Sequence, residues 1–173
     1  MTENGKSNKS AALVVGVDGS AGAAEALRWA VAEARLRKVP LRVVQAWTLG
    51  YAGVPVEGFA YMGSFSSNPS QGVDPAELQR VAEDVLGKAI GEVAGGVEGV
   101  EIERQVVQGG AAEVLLGTVA AGDLLVVGSR GHGGFAGLLL GSVSQQCVHY
   151  APCAVVVVHS HKAPDAKRAV VGT

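Results

Sequence analysis

Only two cysteines occur in 173 residues, Cys147 and Cys153. They lie among apolar neighbours, with neither a CxxC pair nor the histidine spacing of a zinc site. A disulfide framework and a structural metal are therefore not expected; two buried, reduced thiols are. Charge of either sign is also scarce, because 14 Lys and Arg against 16 Asp and Glu leave a net charge of −2. The basic residues are scattered, whereas a nucleic-acid face needs them clustered, so no nucleic-acid partner is expected. No apolar run approaches the roughly 18–20 residues of a membrane-spanning helix. The first ten residues are polar and lack the apolar core of a secretory signal. These absences predict a soluble cytoplasmic protein with disordered ends at 1–10 and 160–173. Lysine is missing altogether between Lys88 and Lys162, which removes the ammonium that a Walker A loop, G-x4-G-K-[ST], directs at phosphates.

What is present is apolar side chain, at 48%, and 25 glycines. The length suits one well-buried core rather than two. The valine-rich run 11–17 reads as a central parallel strand, and it ends in Asp18-Gly19-Ser20. It therefore delivers Asp18 to the carboxyl edge of a sheet, where open α/β sheets bind ligands. Ser20 caps a helix predicted over 21–38, with Ala24, Leu27, Val31 and Ala34 on one face. Pro40 stops that helix, and 41–47 is a second strand.

Residues 48–73 are rich in Gly, Ser and Pro and show no period, yet five of the eight aromatics, Trp47, Tyr51, Phe59, Tyr61 and Phe65, lie in or beside them. Two readings stand: a mobile, flexible insert, or a cover over a ligand or partner subunit. Asp74-Pro-Ala-Glu77 then opens a helix to about residue 94. A strand over 100–107, half exposed at its start, a helix over 111–121, a strand over 123–127, a helix over 142–150 and a strand over 153–159 follow. This alternation predicts a three-layer α/β fold with an open, parallel, five-stranded sheet of flavodoxin-like order 3-2-1-4-5. In that order strands 1 and 4 are neighbours and a cleft opens at their carboxyl ends. Asp18 and Gly128 both arrive there.

The stretch from Gly128 to Ser144 is crowded with glycines that let backbone N–H groups converge, and Ser142 opens a helix whose first amides lack intrahelical partners. That is an anion cradle in outline. Other motifs fail on it. Gly131-His-Gly133-Gly-Phe-Ala136 spells a dinucleotide fingerprint, but it follows the fourth strand and no acidic residue lies about 20 positions on. No serine has the flanking glycines of a hydrolase elbow, and nothing in the spacing fixes a Ser129, His132, Asp18 triad.

The spacing Gly128-x2-Gly131-x9-Gly141-Ser142 does match another signature, G-x2-G-x9-G-[ST]. With Val15-Gly-Val-Asp-Gly-Ser20 as an opening motif, the sequence over 11–159 resembles the universal stress proteins, in their ATP-binding branch. The resemblance implies the same strand order, in an adenine-nucleotide alpha-hydrolase-like topology. It implies that Asp18 lines the adenine and ribose pocket with Ala46 beside the base, and that Val107 and Val127 are apolar neighbours. Gly128 and Gly131 would let the backbone approach the ribose and first phosphates. Gly141, Ser142, Val143 and Ser144 would hold the phosphate chain through amides and hydroxyls. For the two serines, plain helix capping is the alternative. Arg130 and His132 occupy variable positions and either touch phosphate or are exposed loop side chains.

The implied ligand is ATP, with Mg²⁺ bridging its phosphates and Asp18 the nearest further ligand. The implied role is a nucleotide-responsive stress regulator. Slow ATP hydrolysis, self-phosphorylation and cyclic AMP binding are the alternatives. With no positioned general base and no cation but Arg130, turnover is expected to be slow beside the ~1–100 s⁻¹ of kinases. Family members also pair through the last strand, so a homodimer through 153–159 is expected; a tail folded over that edge is the alternative.

Overall fold

The continuous valine-rich runs become the middle layer of the molecule. In the computed structural model, residues 11–48, 74–93, 96–131 and 139–160 are described. Strands β1 (Leu13–Val17), β2 (Leu41–Trp47), β3 (Ile102–Gln108), β4 (Leu124–Gly128) and β5 (Ala154–Val158) alternate with helices α1 (Ala21–Arg37), α2 (Pro75–Glu92), α3 (Ala111–Thr118) and α4 (Ser142–Tyr150). The sheet order is β3-β2-β1-β4-β5, and every pairing is parallel. Fold class and strand order are those expected. The ends at 1–10 and 161–173, and the insert over 49–73, lie outside the described residues.

Alternation along each strand divides the core into two layers. Leu13, Val15, Val17, Leu41, Val43 and Val126 pack with α1 and α2; Val14, Val44, Leu125 and Val127 pack with α3 and α4. Strands covered on both faces need apolar residues at every position, which is why β1 and β4 read as unbroken hydrophobic runs.

Local chemistry sets the helix ends. Ser20 Oγ accepts from the Ala23 N–H at 3.2 Å, and Asp74 Oδ1 accepts from the Ala76 N–H at 2.9 Å with Pro75 beside it. At the other end of α1, Lys38 takes a left-handed conformation, φ 55°, and its N–H closes on the carbonyls of Ala34 and Arg35. The buried face of α1 runs through Gly22, Ala23, Ala26, Leu27, Ala30, Val31 and Ala34. Ala24 is only half-buried. This stripe of small residues lets α1 lie close on β1 and β4, and that closeness shapes the site.

Most boundaries fall within about two residues of expectation, and those of β3 and α3 are instructive. β3 starts at Ile102 and runs to Gln108. α3 stops at Thr118, short of residue 121, because the Asp123 carboxylate takes the Ala120 N–H with one oxygen and the Ala12 N–H with the other, both at 2.9 Å. That carboxylate ties the α3–β4 turn to the start of β1.

Candidate functional site

β1 and β4 are neighbours, so the turns that leave them meet at one edge of the sheet. After β1, Asp18 Oδ1 accepts from the Ser20 N–H at 2.9 Å, an Asx turn that orients the carboxylate. Gly19 supplies the left-handed φ of 83° that the turn requires. Asp18 itself is exposed.

After β4 the chain passes under α1. A Cβ at Gly128 would lie 2.7 Å from the carbonyl carbon of Gly22, and a Cβ at Gly22 would strike the Arg130 carbonyl oxygen. The glycine pair therefore exists to let the first turn of α1 touch the β4 turn. A Cβ at Gly131 would strike Asp18 Oδ2. Asp18 and the glycine turn, far apart in sequence, are thus in contact.

Ser129 pins this turn from beneath. It is 2% exposed; its N–H donates to the Val158 carbonyl at 2.7 Å, and its carbonyl accepts from the Gly141 N–H at 2.7 Å. Such a buried serine offers no free nucleophile. His132 lies outside the described residues.

The helix that follows is open at its start. Gly141 is the N-cap of α4, with no side-chain cap and no acidic residue in the first turn. The first amides of a helix carry partial positive charge and have no intrahelical acceptor. Gly141 has an ordinary extended conformation, φ −77° and ψ 168°. A Cβ there would meet nothing nearer than the Ser129 carbonyl oxygen at 3.5 Å.

The predicted residues divide by position. Gly128, Arg130, Gly131, Gly141 and Ser142 surround the turn, with Arg130 and Ser142 exposed. Val143 is half-buried against the α3/α4 layer. Ala46 and Val107 are register partners at the ends of β2 and β3, both half-buried on that layer. Val127, at 2% exposure, belongs to the core behind the turn.

Ser144 is also 2% exposed. Its Oγ lies 3.0 Å from the Ser129 carbonyl oxygen and 2.9 Å from that of Gly141. The helical start at Ser142 was legible, but the inward turn of this hydroxyl was not.

Sequence reasoning also missed Gly22, and it weighed Ser129 only as a triad member and not as the anchor of the turn. The signal for Gly22 was a glycine inside the first turn of a helix, where it costs stability unless something approaches closely. Ser129 carried no comparable signal. Beside Ala46, Gln45 is 8% exposed; its Nε2 donates to the Ala46 carbonyl at 3.1 Å while its Oε1 is buried with no partner.

Two cavities, of about 400 and about 310 Å³, open against α2 and include none of these residues. The site is defined by its donors, not by those hollows. The two thiols stand apart from it and are unbridged. Burial, then the neighbouring Cys153, pushes the Cys147 thiol up to about 11; burial raises that of Cys153. Both stay protonated and unreactive near neutral pH.

Comparison with known proteins gives a consistent result. A family model described as the universal stress protein family matches residues 11–159. A universal stress protein of Mycolicibacterium smegmatis is 32% identical over 155 residues, which cover 85% of this chain and 47% of that protein. The chain thus spans about half the length of such relatives. Among solved structures, a universal stress protein in complex with cAMP has a TM-score of 0.62 at 23% identity, covering 87% of this chain and 98% of that one. A universal stress protein from Archaeoglobus fulgidus in complex with dAMP has a TM-score of 0.54 at 21% identity, covering 86% and 97%.

Proposed function

Because the chain belongs to the universal stress protein family, we propose that it binds an adenine nucleotide, ATP foremost, where β1 and β4 meet, and acts as a nucleotide-responsive stress regulator in the cytoplasm. The observation that carries this reading is the start of α4, which has no side-chain cap and lies beside Arg130 and Gly131, the latter in contact with Asp18. Backbone amides at such a start suit a phosphate chain. Relatives of the same fold bind cAMP and dAMP, which supports an adenine nucleotide as the class of ligand.

Gly141 adds a second argument. Neither its φ nor its protein neighbours demand glycine, since a methyl group there meets only ordinary contacts. Clearance for a phosphate is a reason that the protein's own packing does not supply. Gly131 is different: its hydrogen is required by Asp18. Among the described residues no group of three or more His, Cys, Asp or Glu can hold a metal ion. In this reading Mg²⁺ would come with the phosphates, and Asp18 is the carboxylate that would face it.

The test is equilibrium binding of ATP and cAMP to the wild type and to Gly141→Val, with thermal melting as a control for folding. A loss of at least about tenfold in ATP affinity with an intact fold is the expected result. Unchanged affinity overturns the reading. Gly131→Val is unsuitable, because it would disturb Asp18 whether or not a ligand binds there.

The same reading includes a homodimer through β5. That strand ends the sheet order, and its residues Val155–Val158 are half-buried. A bare apolar edge invites pairing, and a two-fold partner strand satisfies it. Sedimentation at micromolar concentration should give a two-chain species; a monomer counts against it.

A further inference from the structure

The first turn of α4 contains two serines whose hydroxyls have opposite surroundings. Ser142 is exposed, whereas Ser144 is 2% exposed. Around Ser144 Oγ lie two carbonyl oxygens, those of Ser129 at 3.0 Å and Gly141 at 2.9 Å. Both are acceptors, so each can interact with the hydroxyl only through its single proton. A phosphate oxygen is likewise an acceptor. The proton is already committed, and the group is out of a ligand's reach.

The two carbonyls it meets are significant. Ser129 is the residue after β4, and Gly141 is the N-cap of α4, so they are the two ends of the glycine turn. The Gly141 N–H donates to the same Ser129 carbonyl at 2.7 Å, and the Gln145 N–H closes the first helical bond on the Gly141 carbonyl at 2.9 Å. Ser144 therefore joins the helix to the strand end, and Ser129 in turn donates its N–H to Val158 at the end of β5.

We propose that Ser144 is a positioning residue of the cradle and not a phosphate ligand. With the Ser129 carbonyl it clasps the ends of the glycine turn and sets where the amides of Ser142, Val143 and Ser144 point. The assignment rests on the nucleotide reading above for its consequence, but the clasp is made entirely by the chain's own atoms and can be probed without nucleotide. Removing the hydroxyl loosens the turn before any ligand arrives. A phosphate-bearing ligand then meets misdirected donors, while a ligand without phosphates is not affected.

The experiment uses the full chain as wild type, Ser144→Ala, Ser144→Cys and Ser144→Thr. Amide hydrogen exchange is followed without nucleotide, and ATP and adenosine affinities are measured. Ser144→Ala should speed exchange of the Gly141 N–H about tenfold and weaken ATP about tenfold, leaving adenosine within about twofold. Ser144→Cys keeps the shape without a strong donor and should follow Ala; Ser144→Thr restores the hydroxyl and should follow the wild type.

Three results overturn the proposal. Weaker ATP binding with unchanged exchange in the free protein makes the hydroxyl a ligand. Equal losses for ATP and adenosine make it a general structural support. No change in either quantity removes any role. If the wild type itself binds no ATP, the nucleotide reading falls with the positioning role, whereas intact wild-type binding with an unaffected Ser144→Ala sinks the positioning role alone.

Discussion

Two helices begin at the same edge of the sheet, and their starts are built in opposite ways. α1 is closed by its own protein: Ser20 Oγ accepts from the Ala23 N–H, the Asp18 carboxylate holds the Ser20 N–H, and Gly22 is pressed on the Arg130 carbonyl. α4 has none of this. Its N-cap is Gly141, its first turn has no acid, and the serine placed to help, Ser144, is turned inward. The other two described helices are supplied with negative groups, Asp74 and Glu77 at α2 and Glu113 at α3. Of the four starts, only that of α4 lacks both a capping side chain and a first-turn carboxylate. The sheet edge thus has one satisfied pole and one that an anion would satisfy. Asp18 between them would repel an anion on the α1 side and admit a cation carried by phosphates.

The comparison is broken most severely by making α4 resemble α1. Gly141→Asp places a carboxylate over the free amides, where it caps the helix and competes with any phosphate. ATP affinity should fall on the order of 100-fold, because like charges placed in contact cost several kcal/mol. Folding stability should change by less than about 1 kcal/mol, since glycine is itself a tolerable N-cap. Denaturant titration and ATP binding on the same variant check both halves. Retained ATP affinity would mean that the ligand does not use this helix start.

How much of this was legible depends on the distance over which each residue acts. The strand order followed from short-range facts: valine runs at 11–17 and 123–127 too apolar for anything but buried strands, separated by stretches with helical starts such as Asp74-Pro75. The G-x2-G-x9-G-[ST] spacing marked the turn and the helix start at Ser142. The close approach of Gly22 to Gly128 and Arg130 was hidden, because it exists only once α1 lies across β4. The early end of α3 was hidden for the same reason, since Asp123 reaches back to Ala12 at the start of β1.

Ser144 is the instructive case. Its spacing from Gly141 is equally compatible with a hydroxyl facing a phosphate and one facing the Ser129 carbonyl, and only the packing of α4 on the β4 turn separates them. Val127 was named as an apolar neighbour of the ligand because the resemblance implies it. In the folded chain it is a core residue of the α3/α4 layer that ends at the same sheet edge.

The smaller perturbation makes α1 resemble α4. Ser20→Ala removes the oxygen that accepts from the Ala23 N–H, and the loss of a serine N-cap costs about 1 kcal/mol, within a range of roughly 0.5–2. Denaturant titration should show that loss. ATP affinity should change by less than about threefold, since the freed amide lies inside α1's own first turn, beside a carboxylate that disfavours phosphate. The contrast with Gly141→Asp is then one of kind: a cap lost from α1 lowers stability and spares binding, while a cap added to α4 spares stability and removes binding. A Ser20→Ala variant that lost ATP affinity as heavily as Gly141→Asp would show that the α1 start also holds the ligand, and the two poles would have to be treated as one site.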